Sequence, residues 1–572
     1  MKNIPLYEVR PIKNLREMIN TSVELFGDST AFLTKPNEGS TYVPISYRKY
    51  KTDIDAMGTA LISLGLKGKR IALIGENRYE WAVSYLSVVN GTGIVVPLDR
   101  ELPQNEIESL LIRSEVSAVV YSEHVSEKIT PLIQKLSFVE HFISMDNTQE
   151  GGNTLSFDDL LKKGQQLITS GDTSYINAEI DDEAVNILLF TSGTTDQSKA
   201  VMLSHKNICS NLMAMCSMLY IGEKDTFLSV LPIHHTYECT CGFFCPIYRG
   251  ATIAYCEGLR HIAKNMQEAK VTMMLGVPLI FESMYNRVWD QARKNPGTLR
   301  QLKFALKLSN FLRKFGINIT KKVFAKIHNN LGGHVRLFIS GAAGIDPQVA
   351  KGFRDFGIHM VQGYGLTECA PIVALNRDVD FKDNAAGLPL PGVEVRIDNP
   401  SSEGIGEIIA KGPNVMAGYY KNQGATESVL KDGWFYTGDL GYMDSENFLY
   451  ITGRKKNVIV TKNGKNIYPE EIETLLNRSP YIKESMVVGE NEEDSGDTIV
   501  SAVIVPDMDK INEEFMDENI NPDSIKNLIQ NEIKAVNKGL VNYKYIKKFT
   551  LRETEFAKTT TRKIKRYMEN KT

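Results

Sequence analysis

From about residue 70 the chain repeats one texture, a short apolar run rich in Val, Ile and Leu followed by an amphipathic stretch of helical period. RIALIGEN precedes RYEWAVSYLSVV, GIVVPLD precedes QNEIESLLIRS, and AVVYSE and HFISMD follow; after residue 184 the theme returns in VNILLF, TFLSVLP, ATIAYC, VTMMLGVP and VRLFISG. Strands separated by helices pair in parallel through crossovers, and parallel strands covered on both faces read as unbroken apolar runs. The pattern predicts an α/β fold with two parallel-type sheets side by side in a large N-terminal domain.

The longest apolar stretches, such as TMMLGVPLIF (272–281), stop near ten residues, short of the ~18 needed to span a bilayer. The opening MKNIPLYEVRPIKNLREM is broken by charges and prolines, which argues against a secretory signal. A net charge of −3 with 24% charged residues gives no reason to expect nucleic acid as a partner. Seven cysteines, an odd number in mostly apolar surroundings, fit reduced thiols rather than a disulfide framework. CTCGFFC (239–245) lies near His234 and His235, but the single residue between Cys239 and Cys241 is not zinc-ligand spacing, so buried free cysteine is the reading. A cytoplasmic enzyme is expected, with peripheral placement at a membrane left open by one segment.

That segment, 285–335, is helical, rich in Lys and Arg, and carries apolar residues at i, i+3, i+4 spacing. It reads either as a solvated helical hairpin packed by its apolar stripe or as a membrane-surface contact. From about 385 to 453 the chain becomes glycine-dotted and strand-like (GVEVRI, GEIIAKG, NFLYITG), as in a small β subdomain. After GRKKN (453–457) come ESMVVGE, TIVSAVIVPD, the helical SIKNLIQNEIKAVNKGL and a basic tail. The expected organisation is an N-terminal domain over 1–453, with its β subdomain, followed by an α+β C-terminal domain over 454–572.

TSGTTDQSKAVMLSH (191–205) follows the strand VNILLF. Its backbone amides, the hydroxyls of Thr191, Ser192, Thr194 and Thr195, the turn at Gly193 and the charge of Lys199 suit the β and γ phosphates of a nucleotide. It is not a Walker loop, because Ser198 stands where the second glycine belongs and Ala200 where a Ser or Thr would meet magnesium. Alone, such a loop could equally be a plain turn.

Five further stretches accompany it: LPIHHTYE (231–238), GYGLTECAP (363–371), YTGDLGYMD (436–444), GRKKNVIVTKNGKNIYPEEIE (453–473) and KTTTRKIKR (558–566). In this order the six motifs resemble the adenylate-forming superfamily of acyl-CoA synthetases, luciferases and peptide-synthetase adenylation domains. The resemblance runs from PLDRELPQNEI (97–107) to residue 566, and within the superfamily it is most similar to long-chain fatty acid–CoA ligases.

The resemblance implies a job for each motif. Gly363 and Gly365 allow close approach to a planar base, Tyr364 offers a stacking face, and Gly341, Ala342 and Ala343 of SGAAG line the adenine. Thr367 matches the hydroxyl at the α-phosphate and Glu368 the carboxylate that holds Mg²⁺. Asp439 matches the ribose-binding acid, Arg454 the arginine at ribose and phosphate, and His235 the histidine beside the reacting carboxylate. Lys456 falls at the hinge about which the C-terminal domain swings, bringing either Lys563 into the site or the loop at Gly464 to form a tunnel for coenzyme A. Lys563 would stabilise charge shifting between carboxylate and α-phosphate.

The implied reaction joins a carboxylic acid, a medium- or long-chain fatty acid, to AMP from Mg-ATP and then to coenzyme A. An acyl carrier protein as acceptor, an amino or aryl acid as substrate, and a non-catalytic nucleotide- or acyl-binding homologue are the alternatives. Three departures bear on the last: the resemblance implies Gly, Pro and Gly where Asp196, Ser198 and Ala200 stand; it also implies Gly where Arg562 stands, which gives Lys563 a basic neighbour. Aspartate tolerates the left-handed backbone region, so Asp196 is expected to keep the turn and face solvent.

Overall fold

The computed structural model describes residues 5–146, 154–191, 198–461, 465–491, 498–515, 521–559 and 564–569. The chain divides into two compact units, Met1–Val395 with Ala410–Phe435, and Arg396–Ile409 with Tyr436–Thr572.

The first unit contains both large sheets. One has eight strands in the order Gly418–Tyr419, Lys199–Ser204, Val185–Thr191, Ile94–Leu98, Arg70–Ile74, Ala118–Tyr121, His141–Ser144 and Thr154–Ser156. It is parallel from Val185–Thr191 outward and turns antiparallel at Lys199–Ser204 and Gly418–Tyr419. The seven residues 192–198 are too few for a crossover, so the strand that ends in Thr191 must double back as a hairpin. Apolar strand residues such as Ile74, Val96, Val119 and Leu188 are buried against Ile107 and Leu111 of the helix Gln104–Ser114.

The second sheet has nine strands, ordered Leu388–Pro389, Ile372–Leu375, His359–Gly365, Leu337–Ser340, Met273–Gly276, Thr226–Ser229, Thr252–Tyr255, Thr30–Thr34 and Val43–Ser46. The strands from His359–Gly365 to Thr30–Thr34 are parallel to their neighbours, and the outer ones are antiparallel. TMMLGVPLIF divides between the strand Met273–Gly276 and the helix Pro278–Arg293. Pro278 sits in the helix's first turn, where its missing amide costs no hydrogen bond.

Segment 285–335 forms the rest of that helix, then Pro296–Arg313, Thr320–Val323 and Ala325–Asn330. Its inner side is aromatic: Phe324, Tyr285 and Trp289 ring contacts meet at Phe356. Leu302, Leu306 and Leu312 of the helix Pro296–Arg313 are partly buried, while a second set of apolar residues faces outward. Phe304, Leu308, Phe311 and Phe315 are exposed.

The second unit holds most of a sheet whose strands Glu394–Asp398, Gly406–Lys411 and Trp434–Met443 lie in that order, with Leu449–Arg454 paired to the last. A three-stranded sheet follows, Ile482–Asn491 antiparallel to Thr498–Pro506 and Ile546–Leu551 parallel to it. Helices Pro469–Leu476 and Pro522–Asn537 supply Ile472, Leu476, Ile529 and Ile533 to the core over Val487, Ala502 and Ile504. At residues 453–457 the chain is tied on both sides, Lys455 Nζ to Glu407 at 2.7 Å and Asn457 Nδ2 to Glu470 at 2.7 Å.

Among the described residues no helix is long and apolar enough to cross a membrane.

Candidate active site

Four neighbouring parallel strands of the nine-stranded sheet place their following loops along one edge. His235 follows Thr226–Ser229, Val277 follows Met273–Gly276, Gly341 to Ala343 follow Leu337–Ser340, and Leu366 to Glu368 follow His359–Gly365. The register Ser340↔Gln362 sets Gly341 beside Gly363, so two of the motifs expected around adenine are adjacent by strand pairing alone. Ligand sites of open α/β sheets form at such carboxyl ends.

Gly341 cannot be larger. A Cβ there would come 2.6 Å from Tyr237 Cζ, and the Tyr237 phenol donates to the carbonyl of Ile339 at 3.0 Å, fixing the ring. Ala342 holds a left-handed backbone at φ +69°, which an alanine adopts only when its surroundings enforce it. Tyr364 is half-buried.

Glu368 is positioned by the 367–372 segment, whose carbonyls meet buried amides. Asn211 Nδ2 donates to Ile372 O at 2.7 Å, and Asn414 Nδ2 donates to Cys369 O and Ile372 O, each at 3.0 Å. Met416 N donates to Glu368 O at 2.8 Å. The 413–416 stretch is held in turn by Asn207, whose amide donates to Pro413 O and Val415 O while its oxygen completes a capping box with Ser204 at the start of the helix His205–Met218.

The Glu368 carboxylate accepts the Tyr419 phenol at 2.9 Å. Tyr419 lies in the two-residue strand paired to Lys199–Ser204, and Lys199 Nζ stands 4.8 Å from the centre of its ring. One aromatic residue thus joins the lysine of the phosphate-loop motif to the acid of GYGLTE. Thr191 and Lys199 face each other across the hairpin base, the Thr191 hydroxyl donating to Lys199 O at 3.4 Å. Ser192, Gly193, Thr194, Thr195 and Asp196 lie outside the described residues. The end of that loop is gripped from the helix Gln104–Ser114: Arg113 Nη2 donates to Ser198 O at 2.5 Å and Nη1 to Ser198 Oγ at 3.3 Å. Ser198 therefore supplies a hydroxyl that Arg113 uses. Ala200 is buried, and its carbonyl accepts Tyr420 N at 2.8 Å.

Of the two histidines, burial holds His234 well below its ordinary pKa, with the charges of His235 and Arg100 adding to the effect. It is neutral, which makes its 3.7 Å approach to Asp99 no ion pair. His235 is half-buried, with its ring 4.2 Å from that of His234. Behind them burial pushes the Glu238 carboxyl up to about 8, opposed only by the Ser229 hydroxyl 2.6 Å away. Cys239, Cys241 and Cys245 are buried free thiols.

In the second unit Asp439 and Arg454 occupy facing register positions, Arg454 Nε 2.7 Å from Asp439 Oδ1. Asp439 is buried, and its amide donates to Thr437 Oγ1 at 3.0 Å. Lys456 is exposed. Gly464 and Lys563 lie outside the described residues, but both stems of the Lys563 loop are anchored. Lys558 pairs with Glu484 and, at 2.8 Å, with Glu555; Arg566 pairs with Glu473 and donates to Val487 O at 2.9 Å. Lys558 and Ile564 close the loop as an antiparallel bridge.

A Mg²⁺ ion that binds through one carboxylate and substrate phosphates needs no protein cage. Among the described residues no group of three or more acids, histidines or cysteines is gathered to hold a metal. Glu368 fits such an ion: its oxygen is met by a neutral phenol, so the carboxylate's charge is not spent on a side-chain cation there.

Residues 19–420 match the AMP-binding enzyme family, and residues 456–570 match the AMP-binding enzyme C-terminal domain. The chain belongs to the AMP-binding enzymes, within the AMP-forming acid–CoA ligases. It is 29% identical over 551 residues to long-chain-fatty-acid–CoA ligase 5 of Rattus norvegicus, covering 88% of this chain and 77% of that protein. Over 535 residues it is 26% identical to fatty acyl-CoA synthetase B of Dictyostelium discoideum, 88% of this chain and 78% of the relative. Among solved structures, the anthranilate CoA ligase AuaEII in complex with anthranoyl-AMP superposes with a TM-score of 0.78 at 19% identity, covering 100% of this chain and 98% of that one. ATP-bound MatB from Rhodopseudomonas palustris superposes with a TM-score of 0.72 at 25% identity over 97% of this chain and 98% of its own. The two large sheets, the small β sheet and the C-terminal α+β region are the architecture of adenylate-forming enzymes.

Proposed function

We propose that this ligase activates a medium- or long-chain fatty acid. The acid's carboxylate attacks the α-phosphorus of ATP, pyrophosphate leaves, and the thiol of coenzyme A then displaces AMP to give the acyl thioester. The observation that carries the ATP half of this reading is the Lys199–Tyr419–Glu368 arrangement beside the adenine-loop edge. The acyl half is supported by the relatives named long-chain-fatty-acid or fatty acyl ligases, matched over most of the chain.

In this reading Lys199 and the hydroxyls of 191–195 neutralise and orient the outer phosphates, and Thr367 donates to the α-phosphate. Gly341 to Ala343 and Gly363 to Gly365 flank the base, with Tyr364 stacked on it. Asp439 accepts the ribose hydroxyls and keeps Arg454 beside the ribose and phosphate. His235 contacts the reacting carboxylate. Mg²⁺, held by Glu368 and the phosphates, would supply charge neutralisation at those phosphates when bound. Residues 454–572 move as a domain about Lys456, presenting Lys563 for adenylate formation and the loop of Gly464 for the thiol. The enzyme works in the cytoplasm, and 285–335 is its surface for the bilayer into which such acids partition.

Pyrophosphate release measured across a chain-length series of acids tests the reading. Release that peaks with medium or long chains is expected; a peak with acetate, aryl or amino acids removes the fatty-acid assignment, and no release with any acid favours the non-catalytic alternative. Replacing coenzyme A by an acyl carrier protein distinguishes the two acceptors, and coenzyme A is the one expected.

A further inference from the structure

Between Asp290 and Asp346 the chain has eleven Lys and Arg and no Asp or Glu, in a protein whose net charge is −3. The helix Pro296–Arg313 lies inside this acid-free stretch. Phe304, Leu308, Phe311 and Phe315 are 67%, 40%, 57% and 68% exposed. At 3.6 residues per turn Phe304, Leu308 and Phe311 fall within about 60° of one another around the axis, and the ring of Phe315, two residues past the helix end, lies 5.1 Å from that of Phe311, so the four form one continuous outward stripe. Arg300, Lys303 and Lys307 fall within the next about 80° on one side, Lys314 caps the helix, and all four are exposed.

The stripe is not a misplaced core face. The core side of this helical region is satisfied separately, by Phe324, Tyr285 and Trp289 around Phe356 and by His328 Nε2 hydrogen-bonded to Phe356 O at 2.9 Å. Arg313 is turned the other way, 3.7 Å from Asp355 and hydrogen-bonded to Arg354 O at 3.2 Å, which fixes the helix about its axis and keeps the phenylalanines outward. An apolar stripe bordered by cations is the arrangement of a helix lying in the plane of a lipid surface.

We infer that the face of Phe304, Leu308, Phe311 and Phe315 docks on an anionic bilayer. The rings enter the headgroup and acyl boundary while the neighbouring Lys and Arg meet lipid phosphates. Charge complementarity selects this occupant: a second copy of the chain would bring its own Arg300, Lys303, Lys307 and Lys314 against these, whereas a negatively charged leaflet attracts them. The inference extends the bilayer role of 285–335 given above to a lipid class and a set of residues, and vesicle binding reads it independently of catalysis.

The test is co-sedimentation of the full chain with vesicles of phosphatidylcholine and phosphatidylglycerol in equal parts, against vesicles of phosphatidylcholine alone. Binding to the mixed vesicles, weakened by added salt and at least about tenfold weaker on the neutral ones, is expected. The variants Lys303→Gln/Lys307→Gln/Lys314→Gln and Phe304→Ser/Phe311→Ser/Phe315→Ser should each lose about tenfold or more in apparent vesicle affinity. Both should keep wild-type thermal unfolding and wild-type turnover of a short, water-soluble acid. No sedimentation of the wild type with mixed vesicles, equal binding to neutral vesicles, or unchanged binding by the phenylalanine variant overturns the inference. A wild-type dimer that the phenylalanine variant abolishes, without vesicle binding, assigns the stripe to self-association and overturns it as well.

Discussion

The phenol of Tyr419 donates to the carboxylate of Glu368 across 2.9 Å while its ring carries Lys199 Nζ at 4.8 Å. A hydrogen bond to a charged group contributes about 1.5 kcal/mol or more, so Tyr419→Phe should raise KM for Mg-ATP roughly tenfold. The ring remains, so KM for the acid and the thermal unfolding should stay as in the wild type. An unchanged KM for Mg-ATP would show that Tyr419 does not position Glu368.

The described residues on either side of Lys563 are held by ion pairs, Lys558 with Glu484 and Arg566 with Glu473. Glu473 is half-buried and its carboxyl is pushed up by desolvation, the Arg566 charge pulling it back. Glu473→Gln leaves Arg566 without its counter-charge and loosens the loop, and a misplacement on the scale of 1 Å costs up to about a hundredfold in rate. Adenylate formation should fall by about tenfold to a hundredfold, with thioester formation from pre-formed acyl-adenylate unchanged. Equal loss in both half-reactions would assign Glu473 to stability alone.

Burial pushes the Glu238 carboxyl up to about 8, from an ordinary value of 4.5. The folded chain therefore binds a proton that the unfolded chain releases between these pH values, and stability declines as pH rises through that window. Glu238→Gln removes the effect. Its Tm relative to wild type should rise progressively from pH 5 to pH 8, following a free-energy difference of up to roughly 1.4 kcal/mol per pH unit. A constant Tm difference across that range would mean that the Glu238 carboxyl is already ionised in the folded protein.

The resemblance of TSGTTDQSK to the adenylate-forming motif implies glycine at the position of Asp196. A carboxylate about 6 Å from a phosphate charge, at an effective dielectric of about 20, would cost on the order of 3 kcal/mol, close to a hundredfold in affinity. Because the enzyme must bind ATP, the Asp196 side chain is expected to face solvent, and Asp196→Gly should change ATP affinity little. A gain approaching a hundredfold would place the carboxylate against the phosphates.

The parallel strands were legible because each is an unbroken apolar run between helices, and Leu337–Ser340 and His359–Gly365 emerge beside one another with their glycine loops at the same edge. Thr30–Thr34 and Val43–Ser46 escaped notice: their runs are short, mixed and half-exposed. Tyr419 could not be read in advance, since it reaches Glu368 from 51 positions away through a two-residue strand. Asn211 and Asn414 look like surface amides in sequence and become buried supports only when the 369–372 carbonyls meet them. In the helix Pro296–Arg313 the apolar period was plain, but the direction of the phenylalanines depended on Tyr285, Trp289 and Phe324 already filling the space around Phe356.

In the proposed reaction a fatty-acid oxygen attacks the α-phosphorus of ATP. A single turnover with a long-chain acid carrying heavy oxygen in its carboxylate, followed by mass analysis of the products, reads this directly. One labelled oxygen in AMP, together with pyrophosphate free of label, is the predicted result. Label in inorganic phosphate with ADP as the nucleotide product, or AMP released without label, would contradict the account.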